Sequence, residues 1–493
     1  MEFQYRYLGD SQVHSGADRT QMNFVPDSLR APTHFKGRLS RKLPFREAIS
    51  ALHEVVESDM RYKPRDLSDY KAWLASQGAV FLAEAAAKKK TVQERLGVLR
   101  KELAALEARE HKILSPFYEA QRKYFKYLYT ADIDAWFVLD PVITVHPDAV
   151  FFECFSQDES SYGRLSCDYA TFDQLGERAC GTTNVDYSHA LYQAFQKIRD
   201  YKDTELNIDP SGFEVQTGVS ESFKEEKIDL PDSWVRGFLQ VSSAMTMPLI
   251  ELELHPMDLY NLLLWLRRHK EKSSPRSLRF LLTPGQPVEI LIEPWNHRLR
   301  CPRSVYTGKA SHEVRLWGRR RLFILERLLP VAKRFKVQLL GTGLPSFWTA
   351  ELEGMRFTLG LSGWSASDFS RMGNFDLMAP RGQVDSLTAG RVFGALQETW
   401  VESADSLAKR LDLETATVKA GLGIYAQAGR VLYDLDTGKY RLRELSREPL
   451  PLDNLRFANE REAKANRFLL AGLVESRVSA VNAGGLSLQG EVI

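Results

Sequence analysis

The chain has 493 residues, 44% hydrophobic and 26% charged, with 66 Lys and Arg against 64 Asp and Glu. That length exceeds one core and divides into about three domains of globular composition, neither disordered nor fibrous. No apolar run is long enough to span a bilayer, MEFQYRYLGDSQ lacks the features of a secretory leader, and four cysteines fit a reducing compartment, so a cytoplasmic protein without a membrane is expected.

Residues 1–66 are predicted as an N-terminal α+β segment. A short strand at FQYRYL and a loop rich in Pro, Asp and Ser lead to a helix over 43–60, with Pro44 at its first position. Phe45, Ile49, Leu52, Val56 and Met60 form its apolar stripe. Residues 67–130 read as a helical coiled-coil arm. Val92, Leu96, Leu99, Leu103, Leu106, Ile113 and Phe117 keep the four-three spacing of a seam, with Glu110 at the missing position. One half of an antiparallel hairpin is the most economical form. Ser115 and Pro116 end that helix and start the next. Its Arg122, Lys123, Tyr124, Lys126 and Tyr127 read more simply as a Tyr-bearing core face with Lys outside than as a nucleic-acid platform.

Residues 131–385 form a central mixed α+β domain. Strands are expected at AWFVL, AVFFECF, FLQVSSAMTM, LIELEL, RFLLT and VEILIEP, then at KVQLLG, FWTAEL and MRFTLGLSG. Helices are expected over 188–201 and 256–272, the second opened by Pro256, and in GRRRLFILERLL before Pro330. Residues 386–447 read as a winged helix: three helices and a hairpin turning at Asp436, Thr437 and Gly438. Leu407, Leu411, Val418, Leu422 and Tyr425 face its core, and Gly429 releases the third helix into the wing. Residues 448–493 are a linker and a β-hairpin, RVSAVNAGGLSLQGEVI. The fold class is therefore α+β and multidomain.

Charge is segregated along the chain. Residues 267–336 hold eighteen Lys or Arg against five Glu, a balance of +13 that leaves −11 elsewhere. This suits a polyanionic partner or an acidic surface within the same assembly. The candidate nucleic-acid contacts are Arg298, Arg300, Arg319, Arg320 and Arg321 in this segment. Keeping Leu322, Leu325 and Leu329 inward turns at most two of the three consecutive arginines outward. In the winged helix, Thr415, Thr417 and Lys419 occupy the positions that meet a major groove, and Lys409, Arg410, Arg430, Lys439 and Arg441 are candidates for phosphates. The third helix has no Arg, Asn or Gln near its start, which disfavours base reading and leaves protein contact as an equal role.

Catalytic motifs are sparse. There is no phosphate loop and no G-x-G-x-x-G after a strand. GLSGW falls one residue short of a nucleophile elbow, which places Ser362 in a turn. Cys154, Cys167 and Cys180 are spaced by thirteen, unlike a zinc clip, and no metal is expected within residues 1–493. DLDTG lacks the distant Glu of a calcium loop and is a wing turn. Asp229, Asp232, Glu251 and Glu253 form a nuclease-type acidic set without supporting lysine spacing.

Several long stretches resemble the large bacterial SWIM zinc-finger proteins: LPFREAISALHEVVESDMRYKPRD, CGTTNVDYS, KIDLPDSWVRGFLQVSSAMTMP, HPMDLYNLLLWLRRHKEKSSPRSLRF and LWGRRRLFILERLLP with LLGTGLPSFW and FTLGLSGWSASDFSR. The resemblance implies a companion of MoxR-type AAA+ ATPases and von Willebrand A (VWA) proteins. It also implies that the final hairpin leads toward a C-x-C…C-x-H zinc motif whose ligands lie beyond residue 493. The expectation is a non-enzymatic adaptor of such an assembly, with nucleic acid as a further ligand. The alternative is a metal-dependent nuclease or other nucleic-acid-processing enzyme.

Overall fold

The computed structural model describes residues 12–15, 19–24, 33–58, 141–184, 192, 195–201, 203–208, 232–271, 275–363, 368–369, 384–445, 464, 474–482 and 485–492. The chain divides into two units, Met60–Val138 and the remainder. The first lies outside the described residues, and with it the expected coiled-coil arm, its leucine seam and the strand AWFVL. The FQYRYL strand, Asp229 and six residues of the expected 188–201 helix (188–191, 193 and 194) also lie outside them. Tyr192 and Phe195 are helical, but residues 196–201 are turns and irregular chain, so that helix ends earlier than expected.

In chain order the elements begin with β1 (Gln12–Ser15), β2 (Arg19–Phe24), β3 (His34–Leu39) and α1 (Lys42–Glu57). Next come β4 (Val142–Val145), β5 (Ala149–Phe155), β6 (Ser161–Asp168), β7 (Phe172–Ala179), β8 (Gly181–Asn184) and β9 (Asp203–Ile208). Then follow α2 (Asp232–Met245), β10 (Ile250–Leu254), α3 (Pro256–Arg268), β11 (Leu278–Leu282), β12 (Pro287–Ile292), β13 (His297–Val305) and β14 (His312–Leu316). A 3-10 helix (Arg319–Leu328) precedes β15 (Arg334–Leu339), β16 (Ser346–Glu351) and β17 (Met355–Leu361). The last group is α4 (Ser386–Thr399), β18 (Val401–Glu402), α5 (Ala404–Leu411), α6 (Thr415–Gln427), β19 (Val431–Asp434), β20 (Lys439–Leu442), β21 (Val474–Asn482) and β22 (Gly485–Val492). The α+β class is what the structure shows.

Two antiparallel meanders join edge to edge, β6 against β17, to give an eight-stranded sheet in the order β10-β15-β16-β17-β6-β5-β4-β8. Side chains alternate across it. One face carries Leu252, Val337, Trp348, Leu359, Leu165 and Cys154, and α1 packs on it. A Cβ on Gly163 would lie 3.0 Å from Leu52 and 3.2 Å from the Cys154 sulfur, so the missing side chain is what lets α1 cross β6 closely. The four-stranded sheet β13-β12-β11-β14 meets this face where Phe280 packs edge-on to Trp348, with centroids 6.0 Å apart. A further sheet runs β1-β2-β9-β3-β7.

The opposite face mixes polar groups with Phe151, Phe155 and Phe347, and it too is covered, with Phe155 packing edge-on to Phe238 of α2 at 4.8 Å. Glu153, Tyr162, Arg164, Arg356, Thr358, Thr349, Gln338 and Lys336 project from neighbouring strands beneath α2 and the module of α4–α6 with β18–β20. An ion ladder seals the contact. Arg443 reaches Glu153 at 2.8 Å and the Ser242 hydroxyl of α2 at 2.8 Å, while Tyr162 donates to Glu153 at 2.5 Å. Asp434 lies 3.3 Å from Arg164 and 2.9 Å from Arg441, which also grips Asp148 at 2.7 Å. Asp436 meets Arg356 at 3.1 Å and Lys336 at 3.3 Å. Burial alone would raise the Asp434 carboxyl; Arg164, Arg441 and Arg356 outweigh it and hold the group well below the usual carboxylate range. His146 donates to the Leu442 carbonyl at 2.6 Å, and burial, with Arg441 nearby, lowers its pKa to about 3.

Within the module, Asp385 and Ser403 cap α4 and α5 by accepting from the backbones of Thr388 and Ser406. Leu407, Val418 and Leu422 are buried, with Leu411 and Tyr425 partly buried around them. Gly429 (φ 74°) turns α6 into β19, and Gly438 (φ 65°) closes the β19–β20 turn.

Several expectations change. FLQVSSAMTM is not a strand: residues 232–245 form α2, in which every described residue but Arg236 is buried, so no polar stripe betrays the helix. The helix α1 begins at Lys42, placing Pro44 in its first turn rather than at its first position. GRRRLFILERLL winds as a 3-10 helix instead of an α-helix. The final hairpin pairs β21 with β22 and, among the described residues, joins no other sheet.

Candidate nucleic-acid interface

The basic segment does not form one face. In the four-stranded sheet, the outer side presents Arg298, Arg300, Arg279 and Arg315 beside Glu289, Glu293 and Glu313. Arg298 bonds Glu289 at 3.0 Å, Arg315 bonds Glu293 at 2.7 Å and Arg279 bonds Glu313. Three of these four guanidinium groups are thereby compensated. Arg300 is exposed and, among the described residues, makes no ion pair.

Arg319, Arg320 and Arg321 diverge around the 3-10 helix. Arg321 is buried against the Ser160 carbonyl at 2.7 Å and the Ser362 hydroxyl at 3.2 Å, with burial pulling its pKa down to about 10. Arg319 donates to the Glu293 carbonyl and lies over the Trp295 ring, 5.1 Å from its centroid. Burial, with Arg276 and Arg320 close by, lowers its pKa from the ordinary guanidinium value. Arg320 is exposed.

An aromatic cluster occupies the adjoining edge, and the sequence reading missed it. Trp265 and His269 stand one turn apart at the end of α3, where i and i+4 share a face, and stack with centroids 4.1 Å apart. His297 opens β13 and lies nearly parallel to Trp265, at 4.8 Å and 7°. Trp295, from the β12–β13 turn, meets Trp265 edge-on at 4.9 Å. Both imidazoles are exposed and both indoles half-buried. Arg268, Lys270 and Arg276 are exposed along the same stretch. The available signal was WLRRH in a helix end and W-N-H in a turn; their union depends on β13 folding back beside α3.

The winged-helix candidates scatter. Arg441 is 1% exposed and serves the ion ladder, so burial removes it, like Arg321, from any surface. Arg410 is tied to Glu398 and Glu402 at 2.8 Å each. Arg430 bonds Glu444 at 2.6 Å and lies over Phe393. Thr415 donates to Asp405 at 3.0 Å, and Thr417 is half-buried. Lys409, Lys419 and Lys439 remain exposed.

Among the described residues, the acidic set does not converge. Glu251 and Glu253 sit on β10, beside a groove of about 490 Å³, and are engaged by Gln338 at 3.0 Å and Arg334 at 3.1 Å. Among the described residues, no group of three or more His, Cys, Asp or Glu is placed to hold a metal ion. Cys154 and Cys167 are core residues whose thiols burial pushes up. No described helix is long and apolar enough to cross a membrane.

No family profile matches the sequence, and no curated protein matches it. Among solved structures, the proliferating cellular nuclear antigen of Entamoeba histolytica is similar at TM-score 0.35 and 7% identity, over 67% of this chain and 98% of that one. The corresponding antigen of Thermococcus kodakaraensis is similar at TM-score 0.30 and 9% identity, over 45% of this chain and 90% of that one. At these scores neither likeness assigns a fold or a partner.

Proposed function

We propose that this chain is a non-enzymatic binding component of an ATPase-linked assembly of the MoxR/VWA type, and that it holds nucleic acid on the α3–β13 edge. The observation that carries the binding role is the union of exposed rings, His269 and His297 on Trp265, with the exposed cations Arg268, Lys270, Arg276 and Arg320. The adaptor role comes from the SWIM-protein resemblance. The helix order of the 384–445 module supports a winged helix whose wing serves the protein's own sheet, since Asp434, Asp436 and Arg441 are committed there.

The test is binding of labelled DNA and RNA as a function of salt. Affinity falls steeply as salt rises, and Arg276→Glu with Arg320→Glu weakens every sequence alike, because phosphate contacts carry no base information. Binding that ignores salt, or a double variant equal to the parent, overturns the interface. Co-purification of a MoxR-type ATPase with the tagged full-length protein supports the adaptor role, and its absence removes it.

A further inference from the structure

We infer that the α3–β13 edge takes single-stranded nucleic acid, with unpaired bases stacking on the exposed rings of His269 and His297. This rests on the reading of that edge as a nucleic-acid interface. Three observations select a single strand over a duplex.

The first is ring geometry. Trp265 already lies nearly parallel to both imidazoles, 14° from His269 and 7° from His297, so the aromatic stack ends on rings that face solvent. An unpaired base extends such a stack; a paired base has both faces covered by its own neighbours. The second is charge supply. Arg268, Lys270, Arg276 and Arg320 make no ion pair among the described residues. Arg268 and Lys270 flank His269 in the chain, and Arg276 and Arg320 lie near Arg319, which covers Trp295, whereas Arg279, Arg298 and Arg315 on the outer sheet face are held by Glu313, Glu289 and Glu293. A few free cations beside rings suit a short strand better than the long phosphate track of a duplex. The third is preorganisation. Arg319 holds the Glu293 carbonyl and covers Trp295, which fixes the turn that presents His297.

The experiment measures anisotropy of three labelled probes at low salt: an oligothymidylate of about 12 nucleotides, an abasic strand of equal length, and a duplex of the same length. The oligothymidylate binds tightest, the abasic strand roughly tenfold or more weaker, and the salt slope is about −3, near 0.7 for each of four neutralised phosphates. His269→Ala with His297→Ala reduces oligothymidylate binding to the abasic level, and His269→Tyr with His297→Tyr restores it by returning flat rings. Equal binding of the thymidylate and abasic strands overturns stacking while leaving the nucleic-acid interface standing. A duplex that binds tighter than the strand overturns the choice of substrate class. No binding of any probe, or equal binding of polyglutamate, overturns the interface itself.

Discussion

Glu153 and Arg443 show how much a single residue can carry in this protein. Their side chains are 0% and 1% exposed, and each has lost its water to face the other across the seam between sheet and module. Removing one partner strands the other. Arg443→Ala is therefore expected to lower stability by about 3–5 kcal/mol in denaturant unfolding, whereas Arg300→Ala, at an exposed site, stays within about 0.5 kcal/mol. His146 gives the pH dependence. It is neutral when folded, with a pKa of about 3, while an unfolded His titrates near 6.5. The unfolded chain then binds the extra proton between those values, so this contribution is complete above about pH 6.5 and is lost as pH falls toward 3. Asp434, held below its ordinary range, adds a loss confined to more acidic solution. Unfolding titrations of His146→Gln should show a flatter slope between pH 4 and 6.5, roughly, than the parent.

Among the elements, legibility followed one-sidedness. The strands β10, β11 and β12 and the helix α3 keep one polar side, and their periods were readable. The helix α2 is wrapped by sheet and module on nearly every side, so FLQVSSAM carries no amphipathic signature and its Val and Phe imitate a strand. The sheet's ionic face misleads in the opposite sense. SYGRLSCD and RFKVQL alternate polar and apolar residues as a wet strand does, but complementary charges from the β19–β20 hairpin cover them. Gly163 sits where α1 crosses β6. Gly163→Ala should cost about 1–3 kcal/mol through overpacking against Leu52, Val55 and Cys154, and Gly163→Val more. Thermal unfolding of the two variants checks the order.

Across the whole molecule, the candidate interface was legible only as a tendency. Sequence placed the positive charge between 267 and 336 but not its direction, because Arg319, Arg320 and Arg321 separate by burial once the 3-10 helix forms. Trp265 and His297 are neighbours only after the sheet brings β13 beside α3. The ion ladder makes the module part of the sheet's own fold. Asp434→Asn should therefore lower the melting temperature of the sheet and the module together, read by probes placed in each; separate transitions would show that the two fold independently.

The seam between β6 and β17 also has a clock. Arg356 binds Asp168 across it at 2.6 Å, although 188 residues of chain separate them. A ribosome adding about 5–20 residues per second needs roughly 10–40 s to cover that distance. Throughout that interval the open edge of β6 waits for its partner, bearing Arg164 without Asp434 and Asp168 without Arg356. Those stranded charges discourage foreign strands from pairing there. Arg164, which later bolts the finished sheet to its module, and Asp168, which bolts β6 to β17, thus guard the nascent half-sheet while it is being made.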